Sequence, residues 1–192
     1  METFTKEMPL VPNPNFDSDR RRALESLRTE ISKGSIDEPT METIEQFAAL
    51  PCVYTLQSCY GHFMTEQRVE DRNTRHVSDF VHATTKLHYR IAYIAFCIEN
   101  SARGRNLLEG LKSVADADPE FIQFGCAEWF WNQCVNSYVL QVSPQKNAHE
   151  DHFEVNIGDA LSIERVRDKF FKQLREVLSR SQDLHRCGPS EP

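Results

Sequence analysis

The run from Leu87 to Glu99 constrains this chain most. Tyr89, Ile91, Tyr93, Ile94, Phe96 and Ile98 concentrate β-branched and aromatic residues, and the spacing predicts a strong strand. A strand needs partners for its backbone groups. Residues 52–56, 121–126 and 135–142 supply further strand-like runs. Helical spacing surrounds them. Asp17 or Ser18 can cap a helix to about Ser32 with Leu24, Leu27 and Ile31 on one face, and Gly34 is placed to end it. Asp37 serves as cap for a second short helix carrying Met41, Ile44 and Phe47, which Pro51 stops. Ser101 can cap a third, with Leu107, Leu108, Leu111 and Val114. The clearest helix comes last, capped by Ser162 and carrying Ile163, Val166, Phe170, Leu174, Val177 and Leu178. This order predicts a single α/β or α+β domain, a mixed sheet flanked by helices, over residues 17–181. Residues 1–16, with Pro9, Pro12 and Pro14, form an extended or flexible lead-in, and residues 182–192 a fraying tail. Residues 65–86 have no clean period and read as a connection with one weak element, and residues 143–160 as a polar loop.

At 192 residues the chain can bury roughly 70% of its unfolded surface, so it needs no disulfide or metal staple. No window approaches the ~18 uninterrupted apolar residues of a membrane span. The acidic Met1-Glu-Thr-Phe-Thr-Lys-Glu start lacks the pattern of a secretory signal. Six cysteines without a C-x-x-C pair (Cys52, Cys59, Cys97, Cys126, Cys134, Cys187) read as buried free thiols in a reducing cytoplasm. A formal charge of −7 repels phosphate, so composition predicts no large nucleic-acid footprint. The basic stripe over 162–181 reads as a solvated helix face.

The loop Ser58-Cys59-Tyr60-Gly61-His62 places a hydroxyl, a thiol, a permissive glycine and an imidazole just after a strand. Such a turn can hold a carboxylate or phosphate on consecutive N–H groups, with Ser58 and His62 as hydrogen-bond partners. As packing alone, Ser58 caps a turn and Cys59 fills core. Cys59 and His62 have metal-ligand types, but a zinc site needs about four ligands and the chain offers no paired second half, unless the fold brings His149 and His152 across. No metal is therefore assigned. A Cys59–His62 nucleophile pair has no identifiable orienting group, and side chains three residues apart on a turn need not meet. Trp129, Phe130 and Trp131 suggest base stacking, but adjacent aromatics cannot all face one way, and core packing is favoured. No G-x-G pair occurs, which excludes the usual dinucleotide fingerprint and the P-loop.

Lys33-Gly34-Ser35-Ile36-Asp37-Glu38, then a helix, then Thr55-Leu56-Gln57-Ser58-Cys59-Tyr60-Gly61-His62, resembles the tRNA wybutosine-synthesis methyltransferase family. Its members show Lys-Gly-Ser-Val/Ile-Asp-Glu followed by a strand ending Thr-Thr-Ser-Ser-Cys-Ser-Gly-Arg. Lys33 to Glu38 match the first motif, and Thr55, Ser58, Cys59 and Gly61 the second. The resemblance extends as a pattern of elements from about Phe16 through most of the chain. It implies an α/β domain outside the common Rossmann methyltransferases, and S-adenosylmethionine as cofactor. The implied reaction methylates a ring nitrogen of a modified guanosine in phenylalanine tRNA. Carried onto this sequence, Lys33, Gly34, Thr55, Ser58, Cys59 and Gly61 would bind the cofactor. Ser58, Asp37 and His62 would serve catalysis, with Asp37 orienting the pocket or pairing with Lys33. Leu56 and Gln57 replace the family's Thr-Ser. His62 replaces its Arg, and an ordinary imidazole is only partly charged at neutral pH. Two further readings are a non-catalytic small-molecule or RNA-binding domain of the same fold, and a Cys/His metal-dependent hydrolase drawing on the 149–152 loop.

Overall fold

A computed structural model describes residues 4–65, 76–80 and 85–187, with side chains as far as Asp183. Its chain order is β1 (Phe4–Thr5), α1 (Phe16–Lys33), α2 (Met41–Ala49), β2 (Val53–Cys59), β3 (His62–Met64), β4 (Lys86–Arg90), β5 (Ala92–Ile98), α3 (Ala102–Asp116), β6 (Ile122–Ala127), α4 (Glu128–Gln133), β7 (Ser137–Val142), β8 (His152–Asn156) and α5 (Ile157–Cys187). The strands form a five-stranded sheet, β1-β6-β7-β5-β2, and a three-stranded sheet, β3-β4-β8. All their pairings are antiparallel, so two antiparallel sheets stand where one mixed sheet was expected, and the fold is the α+β form of the domain. No helix among the described residues is long and apolar enough to cross a membrane.

The two sheets share one bent ribbon. The strand expected over 87–99 breaks at Ile91, whose N–H bonds Asp151 O at 3.0 Å, and its halves join different sheets. Opposite this break, β2 pairs with β5 as far as Cys59↔Tyr93, and β3 resumes at His62↔Arg90. Gly61, at φ 88°, makes the corner. A Cβ there would stand 2.9 Å from both Ala92 Cβ and the Tyr89 hydroxyl, so only glycine lets the turn sit against β5. Tyr89, fully buried, accepts from Ala92 N–H (2.9 Å) and donates to Val142 O (3.2 Å), which ties both sheets to the corner.

Side-chain alternation then divides β5. Ala92, Ile94, Phe96 and Ile98 join the main core with Phe47, the α3 leucines and Phe170, Leu174 and Leu178 of α5. Ala95 and Cys97 face the opposite side, where Phe16 and Ala23 of α1, Phe130 of α4 and Phe4 of β1 pack. Arg20 pins α1 there, donating to Val53 O (3.2 Å) and to Ala48 O and Leu50 O (both 2.9 Å) at the end of α2. Gly34 closes α1 as its spacing predicts, left-handed at φ 63°.

Several boundaries differ from the sequence reading. Gln57-Ser58-Cys59 belongs to strand β2 rather than to a loop, because β5 continues beside it past a bulge between Thr55 and Gln57. The 143–160 segment contains β8, and α5 begins at Ile157. Asn156 Oδ1 accepts from Asp159 N–H (2.9 Å), the part assigned to Ser162, whose hydroxyl instead donates back to Gly158 O. Helix α5 also runs on to Cys187, into the expected tail. The lead-in is extended and tied down. Phe4–Thr5 pairs with β6, Val11 exchanges two hydrogen bonds with Asn136, and Tyr138 donates to Met8 O (2.9 Å). Of the 65–86 connection, residues 66–75 and 81–84 lie outside the described residues, and Val77–Phe80 forms a 3-10 turn.

Candidate functional site

Because α1 touches the sheet mainly at its start, a groove of about 1220 Å³ opens between its later turns and β2. Both motifs line it, the first through Ser35, Ile36 and Asp37 and the second through Thr55, Ser58, Cys59 and His62. No described residue hydrogen-bonds the half-buried Ser58 hydroxyl. Lys33 and Gly34 do not line the groove: Gly34 is the helix cap, and Lys33 pairs with Glu30 at 2.9 Å rather than with Asp37. Gly61 is the corner glycine, outside the lining as well.

Asp37 is the joint between the motifs. Its Oδ2 accepts from the Tyr60 N–H at 2.8 Å and lies 3.2 Å from His62 Nε2. This occupies the side chain expected to cap α2, and only the Asp37 carbonyl serves that turn, accepting from Thr40. His62 is 8% exposed. The Asp37 hydrogen bond first, then Cys59, outweigh burial and push the His62 pKa up to about 9. Burial would raise the Asp37 pKa, but His62, the Tyr60 N–H and Arg90 together hold it below the ordinary value. At neutral pH the pair is thus carboxylate and imidazolium. His62 carries a full charge, rather than the partial charge of a free histidine.

Behind the turn sits Arg167 of α5, 1% exposed. It donates to Gly61 O (3.2 Å) and to Asp168 Oδ1 (3.0 and 3.1 Å), and its guanidinium lies 4.2 Å from the Tyr60 ring centroid. Tyr60 in turn donates to Asp168 at 2.8 Å and stacks on Phe171. The site turn is therefore held from both sides. Arg167 had been read as part of a solvated helix face. Its sequence signal was its place on α5's apolar face, one residue after Val166 and four after Ile163.

Cys59 and His62, which need not have met, do meet: their ligand atoms and an Asp37 oxygen all lie within 4.8 Å of one another. Asp37 joins this group, whereas His149 and His152 do not: His152 begins β8, which pairs with β4 on the edge away from β3, and His149 precedes that strand. Sequence reasoning missed the groove's other wall. Asp19, Arg22, Ser26 and Glu30 line it from α1, at a helical spacing that marks one polar stripe. Arg90, exposed, and Cys134 also line it. Phe130 is buried and Trp131 packs edge-on against Tyr138, while Trp129 is 53% exposed, so the aromatic triplet divides between core and surface.

No family model matches this sequence, and no curated protein does. Solved structures do. PH1069 protein from Pyrococcus horikoshii superposes with a TM-score of 0.54 at 11% identity, over 85% of this chain and 96% of that one. A second structure of PH1069, from P. horikoshii OT3, gives 0.51 at 12%, over 91% and 95%. A hypothetical protein from Aeropyrum pernix gives 0.41 at 14%, over 79% and 100%. At such identities the PH1069 likeness establishes a shared fold.

Proposed function

We propose that this chain is an S-adenosylmethionine-dependent methyltransferase, a divergent relative of the wybutosine-synthesis enzymes, acting on a ring nitrogen of a modified guanosine in tRNA. One observation carries the reading: the two motif segments converge on a groove of about 1220 Å³, more than one drug-sized ligand needs. A transfer reaction requires two reactants in one cavity, and this volume accommodates them. The donor set fits the cofactor. Asp19, Glu30 and Asp37 can accept from an ammonium group and ribose hydroxyls, and Arg90 can pair with a carboxylate. Bound there, the cofactor supplies an electrophilic methyl group.

The chain's own residues would bind and orient. Asp37 is fixed by the Tyr60 N–H and His62, so its carboxylate needs no reorganisation when a ligand arrives. Ser58 offers an unused hydroxyl beside it. His62 enters protonated, so it acts as a buried charge and donor rather than as a base at neutral pH. Positioning and charge placement then supply the rate. The five described free thiols suit a reducing cytoplasm.

The test is isothermal titration with S-adenosylmethionine and S-adenosylhomocysteine, beside Ser58→Ala and Asp37→Ala. Binding that both substitutions weaken is expected. Absence of binding at millimolar ligand by folded protein overturns the proposal. Binding without methyl transfer to any tRNA would instead leave a non-catalytic binding domain.

A further inference from the structure

We propose that Cys134 is a peroxide-sensitive thiol in the groove wall and that Cys97 is its resolving partner, the two closing to a disulfide once Cys134 is oxidised. This goes beyond the methyltransferase reading and needs no cofactor. Cys134 follows α4, half-buried, and lines the groove next to Tyr54 and Gln133. Cys97 lies directly behind it on β5, fully buried. Both sulfurs reach the same carbonyl, Val135 O, at 3.7 Å from Cys134 and 3.3 Å from Cys97. The Tyr54 hydroxyl stands 3.0 Å from Cys134 Sγ, and Tyr54 is itself held by the Phe16 ring.

The neighbouring Cys97 thiol first, and Tyr54 after it, outweigh burial and hold the Cys134 pKa below the ordinary thiol value, while Cys134 and burial push Cys97 well up. The charged groups facing the sulfur come from α1, where Asp19 opposes the thiolate and Arg22 favours it. The other described thiols lack this combination. Cys52, Cys59 and Cys126 are all buried, whereas Cys134 is half-buried in the groove wall. An accessible nucleophilic thiolate backed by a buried thiol is the arrangement a redox-sensing pair requires.

With hydrogen peroxide as oxidant, the Cys134 thiolate attacks one peroxide oxygen. The O–O bond breaks, hydroxide leaves, and Cys134 becomes a sulfenic acid. The Cys97 sulfur then attacks Cys134 Sγ, the S–O bond breaks, and the departing hydroxide takes the Cys97 proton as water. The product replaces a groove-wall thiolate with a neutral disulfide.

The experiment treats the reduced full-length chain with one equivalent of peroxide and maps cysteines by peptide mass spectrometry. A Cys97–Cys134 crosslink lacking two hydrogens is expected. Cys97→Ser should instead trap the Cys134 sulfenic acid as a dimedone adduct. Alkylation of untreated wild type should label Cys134 with a pH midpoint below the ordinary thiol's 9.0, a readout that requires no variant to fold. Peroxide that leaves Cys134 reduced, or crosslinks that avoid Cys97, overturn the proposal. So does a Cys134 alkylation midpoint at the ordinary thiol value.

Discussion

Removing the Asp37 carboxylate should bring the titration of His62 down toward the physiological range. Unfolded, the imidazole titrates at 6.5, and folded at about 9. At ~1.4 kcal/mol per pH unit, that rise corresponds to about 3 kcal/mol of preference for the imidazolium in the native state. Because the folded value is the higher one, this stabilisation is complete below pH 6.5 and is lost as pH rises through about 9. Asp37 works in the opposite sense. Its pKa is lowered, so its contribution is present above the ordinary 3.8 and is lost as pH falls toward its folded value. The pair is therefore worth most between these limits. Asp37→Asn removes the largest cause of the His62 rise and leaves burial opposing the charge, so the His62 midpoint should drop by about one to two pH units. Proton NMR of the imidazole C–H resonances reads it directly, with His62→Gln identifying which of the seven histidines is lost. Urea unfolding at about pH 6 and about pH 9.5 reads the linked stability, and His62→Gln should flatten that difference by about 3 kcal/mol. A native His62 that titrates at or below 6.5, or a His62→Gln variant with the wild-type pH slope, would refute the reasoning.

Arg167→Ala removes the cation that holds Gly61 O and Asp168 against the Tyr60 ring, and leaves Glu164 without its buried partner. A loss of about 3–5 kcal/mol in urea unfolding is expected, and a loss below ~1 would place the support elsewhere. The two left-handed glycines should separate. Gly34→Ala meets nothing within 4 Å and costs only the conformational ~1–2 kcal/mol, whereas Gly61→Ala adds a 2.9 Å clash with Ala92 and Tyr89 and should cost roughly 1–3 kcal/mol more. Equal costs would mean that the corner packing is soft. The cofactor titration and the peroxide crosslink complete the set.

Helices α1, α2, α3 and α5 were legible because each carries an apolar stripe at helical spacing, with Gly34 and Ser101 at stripe ends, whereas the six-residue α4 is too short to show one. Ser101 does accept from Gly104 N–H, at 3.1 Å. The strand breaks were not legible for a physical reason. Leu87 and Tyr89 alternate with His88 and Arg90 before Ile91, and Ala92 to Ile98 form an apolar run after it, so both halves read as strand and neither says that they belong to different sheets. The mark lies elsewhere, in Gly61, whose positive φ and close packing on Ala92 are properties of the neighbouring chain segment. Strand β8 did leave a trace, with Phe153 and Val155 buried between exposed neighbours, but two alternating positions in a charged stretch are weaker than the flanking polar signal. The start of α5 was misplaced because Asn156 and Ser162 are both competent caps, and only the pairing of β8 with β4 decides between them.

The sequence singled out two segments that line one groove, but not how their charges combine. Read alone, His62 is an imidazole only partly charged at neutral pH. In the fold, Asp37 from the first segment holds it charged, while Arg167 arrives from a helix more than a hundred residues away to hold the same turn from behind. The two cations differ in what they present. Arg167 is fully enclosed and spends its donors on Gly61 and Asp168, so it fixes backbone and offers a ligand nothing. His62 is spent on Asp37, whose carboxylate keeps one side toward the groove. What a ligand meets is then an imidazolium neutralised by its own partner, flanked by Asp19 and Glu30 on α1 and by Arg90 on the opposite lip. The groove wall therefore carries both signs of charge, with Arg22 beside Asp19 on α1 and Arg90 across from them. The charge of the turn thus depends on a second residue and on pH, because an imidazolium held by a carboxylate discharges as pH rises, a dependence that a guanidinium in its place would not have.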